Sequence, residues 1–204
     1  GSEMCIRDRG KDAENVLGLL IAYQKRIVGI IQGHGGSIDK FMGDGIMALW
    51  GAPMTHPDDA ERAVDCALEQ VEALELFNQG RIANDKSPLG VGFGIHTGPV
   101  VAGYIGSSKA LSYTVIGDVA NTSARLCSRA LAGQIVVSET THAALPKRFE
   151  CEEMPPVQLK GKREPMRVFN VIRTSPSVQV PADELEDLPT QAPDAEQGQS
   201  SEAS

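Results

Sequence analysis

Apolar positions at Val16, Leu19, Leu20, Tyr23, Ile27, Ile30 and Ile31 recur in steps of three and four. That spacing predicts an amphipathic helix over residues 12–33, stopped by Gly33, Gly35 and Gly36. Two apolar runs follow, Ile38 to Met42 and Ile46 to Trp50, around a turn of Gly43, Asp44 and Gly45. Asp-Gly between apolar runs signals a hairpin, because tight turns need residues that tolerate positive φ. Aspartate is an ordinary turn former, so by itself Asp44 reads as part of the bend. Thr55-His56-Pro57-Asp58 reads as a capping box with proline in the first turn. The helix it opens uses Ala60, Val64, Ala67, Leu68, Val71 and Leu74 and ends near Gly80.

Residues 90–98, Gly-Val-Gly-Phe-Gly-Ile-His-Thr-Gly, alternate strictly, with Val91, Phe93 and Ile95 on one face and Gly92 and Gly94 on the other. Bare glycines inside a strand predict close approach of another backbone or a ligand. Residues 99–106 and 111–117 read as strands of a hairpin around Ser107 to Ala110. Residues 118–132 read as a helix with a core stripe through Ala120, Ala124, Cys127 and Leu131. A buried strand at 134–138, a short helix from Glu139 to Leu145 and a hairpin over 156–172 complete the pattern. The order matches an α+β, ferredoxin-like split βαβ core that lacks its first strand. Residues 1–10 do not supply one, because Arg7, Asp8 and Arg9 in succession suit a central strand poorly. The chain therefore divides into an altered or truncated segment over 1–11, a folded domain over 12–173 and a tail over 174–204.

Composition changes this picture mainly at the tail. The net charge is −8, but seven acids and no basic residue follow Arg173, so the folded part is close to neutral. The tail is rich in Pro, Gln, Ser and acids and is expected to be disordered. No broad basic footprint points to nucleic acid. No apolar run approaches the ~20 residues of a membrane span, and no signal-peptide pattern is present. Cys5, Cys66, Cys127 and Cys151 show no metal-ligand spacing, and Cys66 and Cys127 fall in apolar helical patterns. A reduced, cytoplasmic setting is the expectation.

Candidate chemistry begins with Asn121 and Arg125, four residues apart on one predicted helix and therefore on one face. An amide beside a guanidinium suits a ribose or a phosphate, though an exposed polar face gives the same pattern. Thr114 alternates away from the face carrying Tyr113 and Val115, and Lys160 lies in the late hairpin. His96 is expected to be a structural, hydrogen-bonded histidine.

Four segments then acquire a joint meaning: Lys-Phe-Met-Gly-Asp-Gly-Ile-Met-Ala-Leu-Trp-Gly-Ala-Pro at 40–53, Gly-Ile-His-Thr-Gly-Pro-Val-Val-Ala-Gly-Tyr-Ile-Gly at 94–106, Tyr-Thr-Val-Ile-Gly-Asp-Val-Ala-Asn-Thr-Ser-Ala-Arg-Leu at 113–126, and Leu-Lys-Gly-Lys-Arg-Glu-Pro at 159–165. In this order and spacing they strongly resemble the class III adenylate/guanylate cyclase catalytic domain, over roughly residues 12–173. The resemblance implies head-to-tail homodimers with nucleotide sites between the chains and two divalent ions, Mg²⁺ or Mn²⁺, at each. Asp44 matches the second metal-binding aspartate, so the turn is expected to hold a carboxylate beside the substrate. Lys40 matches the base-selecting position, where lysine goes with adenine and glutamate with guanine. Thr114 matches the second base-selecting position. Asn121 resembles the residue that orients the ribose, and Arg125 the one that stabilises charge on the reacting phosphate. Lys160 resembles the lysine on the terminal phosphates, and Lys109 falls where some relatives carry a phosphate-contacting arginine. The implied reaction is ATP to 3′,5′-cyclic AMP and pyrophosphate.

The departure is at the start. The Phe-x-Asp-x-x-Gly-Phe-Thr strand that carries the family's first metal ligand is not found, and Asp8-Arg9-Gly10 echoes it without the Phe-Thr. Two other readings therefore stand beside the adenylate cyclase: a catalytically silent dimerisation or nucleotide-binding module, and a guanylate cyclase, which Lys40 disfavours.

Overall fold

The computed structural model describes residues 13–107, 110–158 and 164–172. Along them run α1 (Ala13–Gly33), β1 (Ser37–Met42), β2 (Gly45–Leu49), α2 (Asp59–Ala83), β3 (Phe93–Ile95), β4 (Val101–Ser107), β5 (Ala110–Ile116), α3 (Asp118–Cys127), β6 (Ile135–Ser138), α4 (Glu139–Ala144), β7 (Glu150–Val157) and β8 (Met166–Ile172). The predicted order of elements holds throughout. The proposed first segment and the tail lie outside the described residues.

A four-stranded sheet, ordered β3-β6-β8-β7, forms the centre. β3 runs parallel to β6, and the other neighbours are antiparallel. Alternation along the strands splits the core into two layers. Ile135 and Val137 of β6, with Phe169 and Val171 of β8, join Tyr23, Ile27 and Ile31 of α1 and Val64, Ala67 and Leu74 of α2. Val136 and Val168, on the opposite face, pack with Leu126 of α3 and Val157. Helices thus cover both faces.

The glycines of β3 behave as their spacing predicts. A Cβ on Gly94 would lie 2.2 Å from the Cys127 nitrogen and 2.5 Å from the Ser123 carbonyl oxygen, so α3 rests directly on the strand backbone. On Gly92 it would meet Ala130 Cβ at 2.8 Å. Val91, Phe93 and Ile95 turn the other way into the main core.

The last hairpin, expected from residue 156, begins at Glu150, where β7 already pairs with β8, and three further details differ from expectation. The hairpin turns on Gly43 and Asp44, with Met42 opposite Gly45, and Gly43 takes the positive φ of +62°. The bend is a Gly-Asp turn of the kind that needs glycine first, rather than an Asp-Gly turn. Helix α2 begins at Asp59, and its N-cap Asp58 makes no side-chain cap bond. Instead the His56 amide donates to the Asp59 carboxylate at 2.8 Å, while the Thr55 hydroxyl donates to the Gly51 carbonyl. α2 also continues one turn past Gly80. Finally, α3 stops at Cys127, and its buried residues are Thr122, Ser123, Leu126 and Cys127. Leu131, assigned to the core by its spacing, is 69% exposed.

Cys66 sits wholly inside, accepting from Gln70 Nε2 at 3.1 Å. Burial, chiefly, pushes its thiol up from 9.0 to about 12, and burial likewise raises the Tyr23 hydroxyl. Both groups are neutral in the fold and ionise more readily once unfolded. Their contribution is therefore complete below the unfolded thiol value of 9.0 and declines as pH rises toward 12. Urea titrations are expected to show stability constant from neutral pH to about 9 and falling above it, more weakly in a Cys66→Ala variant.

Candidate functional site

The β1–β2 hairpin and α3 carry the motif residues, and a small apolar cluster joins them. Met47 and Leu49 of β2 are buried, with Met42 of β1 and Ala120 of α3 packed against them. This contact seats the first turn of α3, and so Asn121, on the hairpin that carries Lys40 and Asp44. β5 runs beside both β1 and α3. Its Thr114 stands opposite Gly103 in the β4–β5 register.

Within this frame Asn121 is exposed and Arg125 half-buried, one helical turn apart and away from the packed side of α3. The expectation that they leave the core is met: of the predicted stripe, Ala120 packs on the hairpin and Cys127 is buried, joined by Thr122, Ser123 and Leu126, and only Leu131 is exposed. Asp44 is half-buried in the turn, where the positive φ of Gly43 lets the chain reverse in two residues. Lys40 lies opposite Met47, just after a bulge in β1, and its side chain is 46% exposed. Lys109 and Lys160 lie outside the described residues. Among the described residues, no three His, Cys, Asp or Glu side chains gather as a metal cluster. Asp44 would offer a cation a carboxylate, the kind of ligand that Mg²⁺ takes together with substrate phosphates.

The loop after β3 is fastened behind this site. His96 Nδ1 lies 2.8 Å from Ser138 Oγ, the Thr140 hydroxyl donates to the Thr97 carbonyl at 2.7 Å, and Thr97 and Thr141 hydroxyls are 3.0 Å apart. His96 is thus hydrogen-bonded structure, as expected. A cavity of about 100 Å³ opens beside it, lined by Trp50, Asp59, His96, Thr97 and Val119 among others. Lys40, Asp44, Asn121 and Arg125 are not among its lining residues, and Asp59 is already engaged by His56 and Arg62. Lys40 and Asn121 instead lie exposed on the surface of the chain.

One polar residue had no place in the sequence reading. Asp39, within β1, has a side chain with no exposed surface, and neither carboxylate oxygen makes a hydrogen bond among the described residues. The only hint in the sequence was an acid interrupting an apolar run.

Comparison with known proteins agrees with this arrangement. A sequence profile described as "Adenylate and Guanylate cyclase catalytic domain" matches residues 3–172. Adenylate cyclase 1 of Rhizobium meliloti is 30% identical over 165 residues, covering 80% of this chain and 25% of that protein. The chain thus spans about a quarter of that relative's length. Among solved structures, the guanylyl cyclase Cya2 aligns with a TM-score of 0.78 at 39% identity, over 83% of this chain and 89% of that one. The adenylyl cyclase CyaB from P. aeruginosa aligns with a TM-score of 0.80 at 28% identity, over 85% and 93%. No helix among the described residues is long and apolar enough to cross a membrane. With the hairpin, the α3 pair and the layered sheet in place and these matches spanning nearly all of the folded part, the chain belongs to the adenylate and guanylate cyclase catalytic domain family.

Proposed function

We propose that this chain is an adenylate cyclase catalytic domain. It would convert ATP to 3′,5′-cyclic AMP and pyrophosphate by attack of the ribose 3′-oxygen on the α-phosphorus, at sites formed between two copies. The observation that carries the adenylate assignment is Lys40 on the strand that leads into the Asp44 turn. An ammonium donates to adenine N1, whereas guanine presents a donor at the same place. The Thr114 hydroxyl accepts from the adenine amino group but also donates, so discrimination rests mainly on Lys40. Asn121 orients the ribose, and Arg125 meets charge developing on the reacting phosphate. Lys160, and Lys109 with it, would hold the outer phosphates by motif alone. Asp44 would hold a divalent cation, which supplies Lewis-acid neutralisation of the triphosphate when bound.

The relatives include both nucleotide types, so they favour neither base. The separating experiment is product formation from ATP and from GTP by the full chain with Mn²⁺. Cyclic AMP from ATP in clear excess supports the proposal, and a preference for GTP overturns it. Nucleotide binding without either product gives the silent module instead.

A further inference from the structure

The registers of β1 and β2 slip between Ile38 and Lys40, so Asp39 is the extra residue of a β-bulge. On a regular strand, neighbouring side chains point to opposite faces, and Asp39 and Lys40 would diverge. A bulge re-aims a side chain. Here it leaves Lys40 Nζ 3.1 Å from Asp39 Oδ2, an ion pair with one fully enclosed partner and one half-exposed partner.

Enclosing a carboxylate without hydrogen bonds is unfavourable, and buried acids that serve stability normally collect N–H donors. Asp39 has none among the described residues. An apolar side chain of similar size would suit the enclosure better. What the carboxylate does have is the neighbouring ammonium. Lysine is a point charge on a four-carbon stem that samples many rotamers, and a fixed counter-charge at its tip narrows that choice. Such narrowing matters most where a single donor must meet a single acceptor.

We infer that Asp39 is a positioning residue for base selection: its enclosed carboxylate holds the Lys40 ammonium where a purine N1 acceptor would meet it. This rests on the proposed role of Lys40. The bulge, the enclosed acid and the exposed ammonium together form one device, and the acid need not touch nucleotide to act.

The test compares Asp39→Asn, Lys40→Ala and the double variant in the full chain, reading the ratio of kcat/KM for ATP over GTP with Mn²⁺. Where turnover is undetectable, the ratio of Kd values is read by displacement of a fluorescent nucleotide analogue. A ratio is independent of the fraction of protein that is folded, so partial misfolding does not mimic the effect. Asp39→Leu serves as a second variant if the amide folds poorly. Asp39→Asn is expected to melt no lower than the parent and to reduce the ATP preference about tenfold, comparable to what the partners of metal ligands contribute. In the Lys40→Ala background it should have no further effect on the ratio. If Lys40→Ala abolishes the preference while both Asp39 variants keep it, this inference fails and the Lys40 assignment stands. If Lys40→Ala leaves the preference intact, or no nucleotide binds, the base-selecting reading fails and this one with it.

Discussion

Replacing Arg125 with alanine is expected to lower kcat for cyclisation about 10²–10³-fold, the range seen when one preorganised donor to developing charge is removed. The expectation follows from where α3 is anchored. Ser123, Leu126 and Cys127 face the sheet, and Arg125 lies on another side of the helix, half-buried. Its loss leaves that packing intact, so the melting temperature should change little. The effect should fall on kcat more than on KM, because an interaction realised mainly in the transition state is lost. Arg125→Lys should recover only part of the rate, since an ammonium cannot reproduce the two-pronged guanidinium contact. Steady-state kinetics on ATP with Mn²⁺, beside thermal unfolding of each variant, checks this. A variant with near-parental kcat would remove Arg125 from the proposed chemistry, and equal losses of kcat and stability would make it a packing residue.

Much of this architecture was legible because the apolar spacing and the core agree. Tyr23, Ile27 and Ile31 are each at most 3% exposed, as three-and-four spacing requires of one helix face. The glycines of β3 announced a close approach, and α3 makes it. Leu131 was misplaced for a tertiary reason. Its spacing continues the α3 stripe, but the Gly133 amide donates to the Val91 carbonyl at 2.7 Å, and Gly133 takes a φ of +79°. That link draws the chain back toward β3 before another helical turn can form. The α2 cap was missed because proximity alone does not say which side chain will accept: Asp59 takes the role assigned to the Thr55-Asp58 box.

The candidate site was legible in a different way. Taken singly, Lys40, Asp44, Asn121 and Arg125 are polar residues of kinds that ordinarily face solvent, and no periodicity distinguishes them. Their joint motif distinguished them, and the packing of Ala120 against Met47 and Leu49 explains how two distant segments meet. Asp39 escaped notice because alternation assigns it to the face opposite Lys40. A bulge is a local departure from alternation, so its consequence is visible only once the register of β1 against β2 is known.

The largest loss of stability is expected from a single methyl group. In Gly94→Ala, the new Cβ would lie 2.2 Å from the Cys127 nitrogen, 2.5 Å from the Ser123 oxygen and 2.7 Å from the Cys127 Cα. All three are backbone atoms of a packed helix, so no flexible side chain can yield, and α3 or β3 must shift. Overpacking a close-packed interior costs about 1–3 kcal/mol, and a clash with backbone belongs at or above the top of that range. For a chain of this size about 3 kcal/mol lowers the melting temperature by roughly 6–12 °C. Gly29→Ala is the matched control. It too adds one methyl group, but in an exposed helix interior with nothing within 4 Å, where exchanging glycine for alanine stabilises by about 0.5–1 kcal/mol. Because α3 carries Asn121 and Arg125, the displacement in Gly94→Ala should also lower kcat at temperatures where the variant is still folded, while Gly29→Ala keeps the parental rate. Melting curves of the two variants decide the matter: if Gly94→Ala unfolds at the parental temperature, α3 does not rest on the β3 backbone, and the placement of Asn121 and Arg125 loses its support.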